Sequence, residues 1–300
     1  MKRILITGAS GFIGRQVVAA LKGRDCEIHA ITYKQAAILE HGVHWHSANL
    51  FEKESVALLM ERIKPTHLLH FAWITTPGKY LNSMENLDWV EASLHLLRSF
   101  ANVNGQRAIL AGSCLEYDCS YSLYSESKTP FRSSSIYGTC KRSLFLIAEA
   151  ICKELGISLA WGYIFHLFGP FEHPNRLVPV LIRGLLEKRE IPMSHGEQIR
   201  DFLDVRELAS AFIELLDSSF TGAINLGSGE VRSLKSIGLA VASKIGNAEN
   251  LQFGKLLPRQ EPIQLVPDLS LQKSELKWTP RRSFDQSLEE VIEWWKNRSE

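Results

Sequence analysis

Short apolar runs alternate with longer segments of helical periodicity along the first half of the chain. The runs that predict strands cover residues 3–6, 27–31, 67–71, 107–111 and 158–164. The segments that predict helices cover residues 11–22, 55–63, 87–101 and 136–155. Strands and helices that alternate in this way form βαβ units, whose strands lie parallel in one sheet. We therefore predict an α/β fold with a Rossmann-type, doubly wound parallel sheet.

Beyond residue 165 the pattern changes to short strands, short helices and loops. Prolines interrupt this part of the chain at positions 170, 174, 179, 192, 258, 262, 267 and 280. Neither a repeat nor a flexible linker separates the two parts, so we expect them to share one interface. We predict a first domain at residues 1–165, with a return segment near 200–227, and a smaller α/β lobe at 166–300. The apolar spacing at 283–296 predicts a terminal amphipathic helix.

Composition limits the kind of partner. The 300 residues are 45% apolar, which is enough for a full core. Lys and Arg (34) nearly balance Asp and Glu (33), so no net field attracts nucleic acid or an anionic membrane. The apolar run at residues 4–6 is too short for a signal peptide, and the five cysteines form no C-x-x-C pair. We expect a cytoplasmic protein with reduced thiols and a small-molecule partner.

Residues 7–14 read Thr-Gly-Ala-Ser-Gly-Phe-Ile-Gly, and they follow a predicted strand and open a predicted helix. This is the setting of a dinucleotide-binding loop: Gly8 permits the tight turn, Gly11 admits the phosphates, and Gly14 lets helix and strand pack closely. The start of the helix offers N–H groups and a positive dipole end to a pyrophosphate. The predicted contacts of this loop with the cofactor come from Gly8, Ser10, Gly11, Phe12, Ile13 and Gly14.

The end of the second strand distinguishes NAD from NADP. A carboxylate there accepts hydrogen bonds from the ribose of NAD and repels the additional phosphate of NADP. This chain has Thr32 and Lys34 and no carboxylate, so we favour NADP, with NAD as the alternative. Asn49, after the third strand, offers an amide to the adenine, although a helix N-cap before Glu52 would explain it as well. The predicted cofactor site is completed by Leu50, Phe71 and Ala72.

Tyr137 and Lys141 stand at positions i and i+4, on the same face of a predicted helix. A nearby ammonium favours the phenolate, so we expect the pKa of Tyr137 to fall from about 10 toward neutral pH. Such a phenol serves as a proton donor or acceptor in catalysis. Ser113 follows a predicted buried strand, at the end where parallel sheets hold their ligands. Ser113, Tyr137 and Lys141 are therefore the predicted catalytic residues.

Together these motifs resemble those of extended short-chain dehydrogenase/reductases of the nucleotide-sugar epimerase/dehydratase/reductase family. The matching segments follow the family order, at residues 7–14, 113, 137–141, 168–170, 200–205, 225–229 and 278–280. The resemblance implies that Tyr137 is the general acid/base and that Ser113 hydrogen-bonds the reacting oxygen. It implies that Lys141 holds the nicotinamide ribose and adjusts the pKa of Tyr137. Domain 1–165 would then bind the dinucleotide, and lobe 166–300 would bind mainly the substrate.

The resemblance also implies contacts beyond the catalytic residues. Arg200 would bind the substrate diphosphate, for which a guanidinium is chemically suited; a structural pair with Asp201 or Asp204 is the alternative. His166 stands where relatives carry a nucleotide-binding asparagine, so it is either a substrate contact or a satisfied core histidine. A homodimer is implied, through helices such as residues 145–155.

Departures from the family pattern bear on the reaction. The dehydratases of the family carry Asp-Glu after the serine, and this chain has Cys114 and Leu115, which disfavours dehydration. The epimerase/reductases similar to fucose synthase carry a cysteine two residues beyond the serine and a histidine after Gly-Pro. Here Cys114 is one residue beyond the serine, and Phe171 follows Pro170. Cys114 and His173 nevertheless stand close in sequence to the two family positions, so Cys114 stays among the candidate substrate contacts.

The interpretation that we favour is reduction of a 4-keto group on a nucleoside-diphosphate 6-deoxyhexose by NADPH, or the reverse oxidation. The alternative within the family is an NAD-dependent C4 epimerase. The alternative from another class is a non-catalytic dinucleotide-sensing or scaffold protein, which an intact Ser113, Tyr137 and Lys141 disfavours. His44 and His46 flank Trp45 without a third clustered ligand, so we predict no metal site.

Overall fold

A computed structural model describes residues 1–33, 41–257 and 262–298 of the chain. The strands are β1 (Lys2–Thr7), β2 (Cys26–Thr32), β3 (His44–Ser47), β4 (His67–His70), β5 (Arg107–Ser113), β6 (Leu123–Tyr124), β7 (Ser158–Ile164), β8 (His166–Phe168), β9 (Ile191–Pro192), β10 (Ile199–Asp204), β11 (Gly222–Leu226), β12 (Val231–Ser233), β13 (Leu251–Gln252) and β14 (Gln264–Pro267). The α-helices are α1 (Phe12–Leu21), α2 (Lys53–Ile63), α3 (Glu85–Asn102), α4 (Ile136–Glu154), α5 (Leu177–Leu186), α6 (Val205–Asp217), α7 (Leu234–Ile245) and α8 (Phe284–Lys296).

Seven parallel strands form the large sheet, in the order β11-β7-β5-β4-β1-β2-β3. Strand order reverses between β1 and β4, because β2 lies on one side of β1 and β4 on the other. This is the doubly wound arrangement of a Rossmann fold, in which ligands bind beyond the carboxyl ends of the strands at the reversal point. The predicted α/β fold with a parallel sheet is therefore confirmed.

Alternating residues of the central strands explain why both faces of this sheet are covered. On β1, Leu5 points into a core shared with α2, α3 and α4, whereas Ile4 and Ile6 point into a second core shared with α1 and α6. All three side chains are at most 1% exposed. Strands buried on both faces read as continuous apolar runs, which is the pattern of residues 4–6.

A smaller lobe has its own sheet and core. Strand β10 pairs with β12, β14 and β8, and β6 extends this sheet through β14. Helices α5, α7 and α8 supply most of a third apolar cluster, which includes Leu181, Ile237 and Leu288. Strand β11 instead joins the large sheet beside β7. The assignment of the two parts to cofactor and substrate stays a prediction.

Element bounds differ from the predicted ones by a few residues. The strand predicted at 107–111 extends to Ser113, which places that serine at the strand end itself. The terminal helix begins one residue later than predicted, because Ser283 is its N-cap and accepts a hydrogen bond from the Gln286 N–H. No helix in the described part of the chain is long and apolar enough to cross a membrane.

Candidate active site

Five strands of the large sheet end at the same edge. Their last residues are Thr7 on β1, Thr32 on β2, His70 on β4, Ser113 on β5 and Ile164 on β7. Because these strands are parallel and in register, the segments that follow them converge there. The predicted catalytic serine is the last residue of β5, the predicted dinucleotide loop begins with the last residue of β1, and His166 follows the end of β7 by two residues.

The glycine loop (residues 7–14) runs from β1 into α1 by way of backbone that excludes side chains. Gly8 has φ +64°, and a Cβ there would lie 2.8 Å from the Ala72 nitrogen. A Cβ on Gly14 would lie 2.1 Å from the Gly8 carbonyl oxygen. Helix α1 begins at Gly11 without a side-chain cap and without an acidic residue in its first turn. This uncapped helix start fits the pyrophosphate of a dinucleotide, because nothing anionic competes for its N–H groups.

A buried polar chain holds the glycine loop against β4 and α3. The Thr7 hydroxyl lies 2.7 Å from Nδ1 of His70, and Nε2 of His70 lies 2.8 Å from the Ser93 hydroxyl. Thr7 Oγ1 also accepts a hydrogen bond from the Ala72 N–H. Burial lowers the pKa of His70 to about 3, so its ring is neutral and links two hydroxyls. The sequence analysis missed this chain, because its members are 23 or more positions apart.

The other predicted cofactor residues that the structure describes lie at the same edge. Thr32 is buried at the end of β2, whereas Lys34 lies outside the described residues. Leu50 is buried, and Phe71 and Ala72 follow β4 and are half-buried. Asn49 forms a turn before α2: its Oδ1 accepts from the Phe51 N–H and its Nδ2 donates to Glu52. The N-cap of α2 is Glu52 itself, so the N-cap role considered for Asn49 is not the one observed.

The catalytic set (Ser113, Tyr137 and Lys141) is assembled from β5 and the first turns of α4. Ser135 caps α4 by accepting a hydrogen bond from the Gly138 N–H, which fixes the turn that carries Tyr137. The side chains of Ser113 and Tyr137 are hydrogen-bonded. All three members of the set are buried, with 4% to 7% of their surface exposed. The structure thus brings the three predicted catalytic residues together.

The expected lowering of the Tyr137 pKa is wrong for this arrangement. Burial raises the pKa of the phenol, and the hydrogen bond with Ser113 only partly opposes this rise. The Lys141 ammonium donates to the Ala111 carbonyl oxygen at 2.9 Å. Desolvation is the largest effect here, because a buried phenolate loses its hydration. Tyr137 is therefore a protonated phenol, which suits a proton donor.

Two tryptophans and a glutamate enclose Lys141, and the sequence analysis had assigned none of them a role. The Lys141 Nζ lies 3.8 Å from the ring centroid of Trp73 and 5.9 Å from that of Trp161. Glu116 is fully buried, and its Oε1 accepts hydrogen bonds from the Ser113 N–H and the Trp161 indole N–H. The Ser-x-x-Glu spacing of residues 113–116 is a capping-box signature that could have revealed this contact.

The predicted substrate contacts come from both parts of the chain. Cys114 is buried next to Ser113, and burial raises the pKa of its thiol to about 12. Arg200 is 1% exposed, and its Nη1 donates to the carbonyl oxygens of Ile199 and Ile263. The positive charge of Arg200 acts to lower the pKa of both the Cys114 thiol and the His166 imidazole. Burial lowers the pKa of His166 to about 3, and its buried Nδ1 has no hydrogen-bond partner among the described residues.

The loop after β8 adds two charged residues that the sequence analysis had not singled out. Arg176 donates to the Thr75 carbonyl oxygen at 3.4 Å, and its guanidinium lies 5.5 Å from the ring centroid of Tyr80. The Tyr80 ring in turn contacts the Tyr137 ring, with 4.9 Å between centroids. Glu172 is buried, which raises the pKa of its carboxyl to about 8. Arg176 therefore links this loop to the neighbourhood of the catalytic set.

Phe171 stands after Gly-Pro, where the enzymes similar to fucose synthase carry a histidine, and His173 follows it by two residues. Phe171 has φ +70°, and its ring packs against the guanidinium groups of Arg15 and Arg298 and against Trp294. His173 is exposed on a turn, where its Nδ1 accepts from the Asn175 N–H. Among the described residues no cluster of three or more His, Cys, Asp or Glu could hold a metal ion.

Comparison with known proteins gives the following similarities. Residues 4–227 match the model of the NAD dependent epimerase/dehydratase family. UDP-glucuronic acid decarboxylase 1 of Xenopus tropicalis is 25% identical, over 100% of this chain and 73% of the relative. CDP-abequose synthase of Salmonella typhimurium is 23% identical, over 96% of this chain and 97% of the relative. The crystal structure of UDP-glucose 4-epimerase with UDP-glucose from Thermotoga maritima superposes with a TM-score of 0.89 at 18% identity, covering 99% and 100% of the two chains.

Proposed function

Because the chain belongs to the NAD dependent epimerase/dehydratase family, we propose that it reduces the 4-keto group of a nucleoside-diphosphate 6-deoxyhexose, with NADPH as the hydride donor. The observation that carries this proposal is the buried, protonated Tyr137 hydrogen-bonded to Ser113 at the carboxyl edge of the sheet. Such a pair supplies one proton to one oxygen, which is what the reduction of a carbonyl group requires.

Each member of the catalytic set has one task in this mechanism. The Ser113 hydroxyl donates a hydrogen bond to the keto oxygen and stabilises the negative charge that develops on it. Tyr137 gives its phenol proton to the same oxygen, which becomes the hydroxyl of the product. Lys141 provides a cation one helical turn away, which stabilises the phenolate that remains. A nicotinamide dinucleotide, when bound, would supply the hydride, and the glycine loop with its uncapped helix start is the segment that would hold it.

The residue after Ser113 supports reduction over dehydration. Elimination of water from the sugar needs a second acid–base pair to remove one proton and to protonate the leaving hydroxyl. Cys114 and Leu115 occupy the two positions after the serine, and the thiol of Cys114 stays protonated because burial raises its pKa to about 12. A neutral thiol and an alkyl side chain supply no such pair. The similarity to CDP-abequose synthase agrees with an activated deoxysugar as the substrate.

We also propose NADP in preference to NAD. The described residues at the end of β2 include Thr32 and the exposed Tyr33 and no carboxylate, so nothing there repels a 2′-phosphate. Lys34 would add a positive charge. Replacement of Lys34 by Ala should raise the KM for NADPH by about tenfold and leave the KM for NADH unchanged. Equal effects on the two cofactors would contradict the preference.

A homodimer is the proposed assembly. Leu146, Ile147 and Leu155 of α4 or its C-cap are 41% to 52% exposed, so this helix offers apolar side chains that a partner copy could cover. Phe145, in contrast, is 5% exposed and packs against Trp161, so it belongs to the core. Light scattering on the intact chain should give a dimer, and a Leu146→Glu variant should give a monomer. A wild-type monomer would contradict the proposal.

The test of the reaction follows the absorbance of the reduced nicotinamide. Purified protein receives NADPH or NADH together with dTDP-, CDP-, GDP- or UDP-linked 4-keto-6-deoxysugars. Loss of the reduced band with one of these sugars is the expected result, and it should not occur with the Tyr137→Phe variant. No loss with any sugar, together with NAD released from the denatured protein, would favour the C4 epimerase, which retains its cofactor.

A further inference from the structure

Phe171 holds a backbone conformation that is costly for a residue with a side chain. Its φ is +70°, in the left-handed region that glycine adopts without steric conflict. Lysines and asparagines make up the other described non-glycine residues with positive φ: Lys64, Asn104, Lys188, Asn247 and Lys277. Strain of this kind persists where the surrounding structure fixes the residue. The Phe171 ring is 37% exposed, so core packing alone does not account for it.

The Phe171 ring joins segments that are far apart in sequence. The guanidinium carbon of Arg15, on α1, lies 3.9 Å from the ring centroid. The guanidinium carbon of Arg298 lies 4.6 Å from the same centroid, and the Trp294 ring packs edge-on with 4.9 Å between centroids. Cations are attracted to the faces of aromatic rings. The end of the chain thus holds Phe171, and Phe171 holds Arg15.

Arg15 in turn contacts the backbone of the glycine loop. Its Nη2 donates to the Ser10 carbonyl oxygen at 2.6 Å, and its Nε donates to the Gly11 carbonyl oxygen at 3.2 Å. In a trans peptide unit the C=O and N–H groups point in opposite directions, so a fixed Gly11 carbonyl also fixes the Phe12 N–H. Phe12 is among the residues predicted to contact the cofactor. The position of the Arg15 guanidinium therefore bears on the dinucleotide site.

We propose that Phe171 is a positioning residue for the dinucleotide site. Its ring holds the Arg15 guanidinium against the Ser10 and Gly11 carbonyls, and so holds the start of α1 in the conformation that receives the pyrophosphate. A residue of the smaller lobe thereby completes a site that the glycine loop begins. The inference concerns the binding of the dinucleotide, and only its effect on turnover rests on the proposed function.

The loop that carries Phe171 has separate contacts at its other end. Arg176 donates to the Thr75 carbonyl oxygen at 3.4 Å, and its guanidinium lies 5.5 Å from the Tyr80 ring centroid. Loss of the Phe171 ring leaves these contacts in place. The expected defect is therefore in the binding of the cofactor and not in the binding of the sugar.

A double-mutant cycle tests the proposal on the intact chain, with NADPH or NADH as the probe in a fluorescence titration without sugar. Phe171→Leu keeps a Cβ and an apolar side chain but removes the aromatic face, so the Kd should rise by about three- to fivefold. Arg15→Ala removes both carbonyl contacts and should raise the Kd by about tenfold. In the Arg15→Ala chain, Phe171→Leu should have no further effect, because the group that the ring positions is gone.

Three results would overturn the proposal. One is an unchanged Kd in Phe171→Leu. Another is the same rise of the Kd from Phe171→Leu in both backgrounds, since the ring would then act by a route other than Arg15. The third is a wild-type chain that binds neither NADPH nor NADH.

Two further variants separate positioning from stability. Phe171→Tyr keeps the aromatic face and should bind the cofactor as wild type does. Phe253 is a matched control in the smaller lobe, because the Lys235 Nζ lies 5.4 Å from its ring centroid. Phe253→Leu should leave the Kd unchanged. A lower melting temperature in Phe171→Leu with a wild-type Kd would show that the ring only ties α8 to the loop, and would overturn the proposal.

Turnover distinguishes this inference from the proposed function. If the chain reduces a 4-keto sugar, Phe171→Leu should raise the KM for NADPH by about three- to fivefold and leave kcat and the KM for the sugar within about twofold. The expected cycle in a chain that reduces none of the sugars would support the role of Phe171 while refuting the proposed function. A wild-type Kd for Phe171→Leu in an active reductase would overturn the role of Phe171 alone.

Discussion

The glycine loop and the catalytic set lie at the same edge of the sheet but depend on different parts of the chain. In the glycine loop the backbone is predicted to bind the dinucleotide, and the features behind that prediction fall within residues 7–14: a positive φ at Gly8, no Cβ at Gly14 and an uncapped start of α1. In the catalytic set the side chains act, and their state depends on residues far away in sequence. Trp161 reaches Glu116 from 45 positions away, and Lys141 reaches Ala111 from 30.

This difference teaches where local sequence suffices to predict chemistry. A backbone site is set by local conformation, so its motif is contiguous and its geometry follows the motif. The protonation of a side chain depends on burial, and burial is a property of the whole fold. The two regions should therefore respond differently to substitution, one through cofactor affinity and the other through turnover and pH.

The largest effect should come from the proton donor. Tyr137→Phe removes the phenol proton and leaves the glycine loop intact, so kcat should fall by about a thousandfold. The affinity for NADPH, measured by fluorescence titration, should stay within about twofold of wild type, because Tyr137 is predicted to act on the substrate and not to bind the dinucleotide. A parallel loss of NADPH binding would show that the two regions are not separable.

A Cβ in the glycine loop should have the opposite pattern of effects, with the loss in cofactor affinity. Gly8→Ala places a methyl group 2.8 Å from the Ala72 nitrogen in a left-handed backbone, so cofactor affinity should fall by about a hundredfold. Gly23→Ala is the control, since Gly23 has φ +79° and no atom within 4 Å of a new Cβ. It should carry a similar backbone cost in thermal stability and bind the cofactor normally. Equal loss of affinity in both variants would attribute the effect to general destabilisation.

A smaller effect is expected where the two parts of the chain meet. His166 is neutral, since burial lowers its pKa to about 3 and the charges of Arg200 and Arg176 act in the same direction. His166→Asn, the residue that the family resemblance leads one to expect, should change the KM for the sugar by about tenfold and leave the KM for NADPH unchanged. Steady-state kinetics with each substrate varied in turn distinguishes this outcome from a loss of kcat, which would place His166 in the chemistry.

The smallest effect is expected for His70, whose hydrogen bonds hold the glycine loop against β4 and α3. The folded-state pKa of His70 is about 3, whereas an unfolded histidine titrates near 6.5, so the unfolded chain binds the additional proton between these values. Stability therefore falls as pH decreases below about 6.5, by up to about 1.4 kcal/mol per pH unit from this residue. His70→Gln should be less stable at neutral pH but lose stability less steeply on acidification, as urea unfolding would measure. An equal slope in both proteins would contradict a neutral, buried His70.

Much of the fold could be predicted from the sequence, because strands buried on both faces and amphipathic helices leave periodic patterns. Residues 3–6 and 107–111 are examples, and the glycine loop follows from its own eight residues. Ser113, Tyr137 and Lys141 could be named from spacing and resemblance. Their electrostatics could not be predicted, since the i, i+4 spacing of Tyr137 and Lys141 says nothing about the tryptophans and the glutamate that surround the ammonium. The pKa of Tyr137 was predicted in the wrong direction for this reason.

Transfer of an isotope from the cofactor to the sugar tests the central claim most directly. NADPH that carries deuterium at the hydride position of its nicotinamide is incubated with the chain and a nucleoside-diphosphate 4-keto-6-deoxyhexose, and the product is analysed by mass spectrometry and NMR. The proposed reduction predicts one deuterium at C4 of the sugar for each NADPH oxidised. A sugar without deuterium and no NADPH consumed would contradict it. Inversion at C4 of a 4-hydroxy nucleotide sugar offered instead, with no NADPH consumed, would indicate an epimerase.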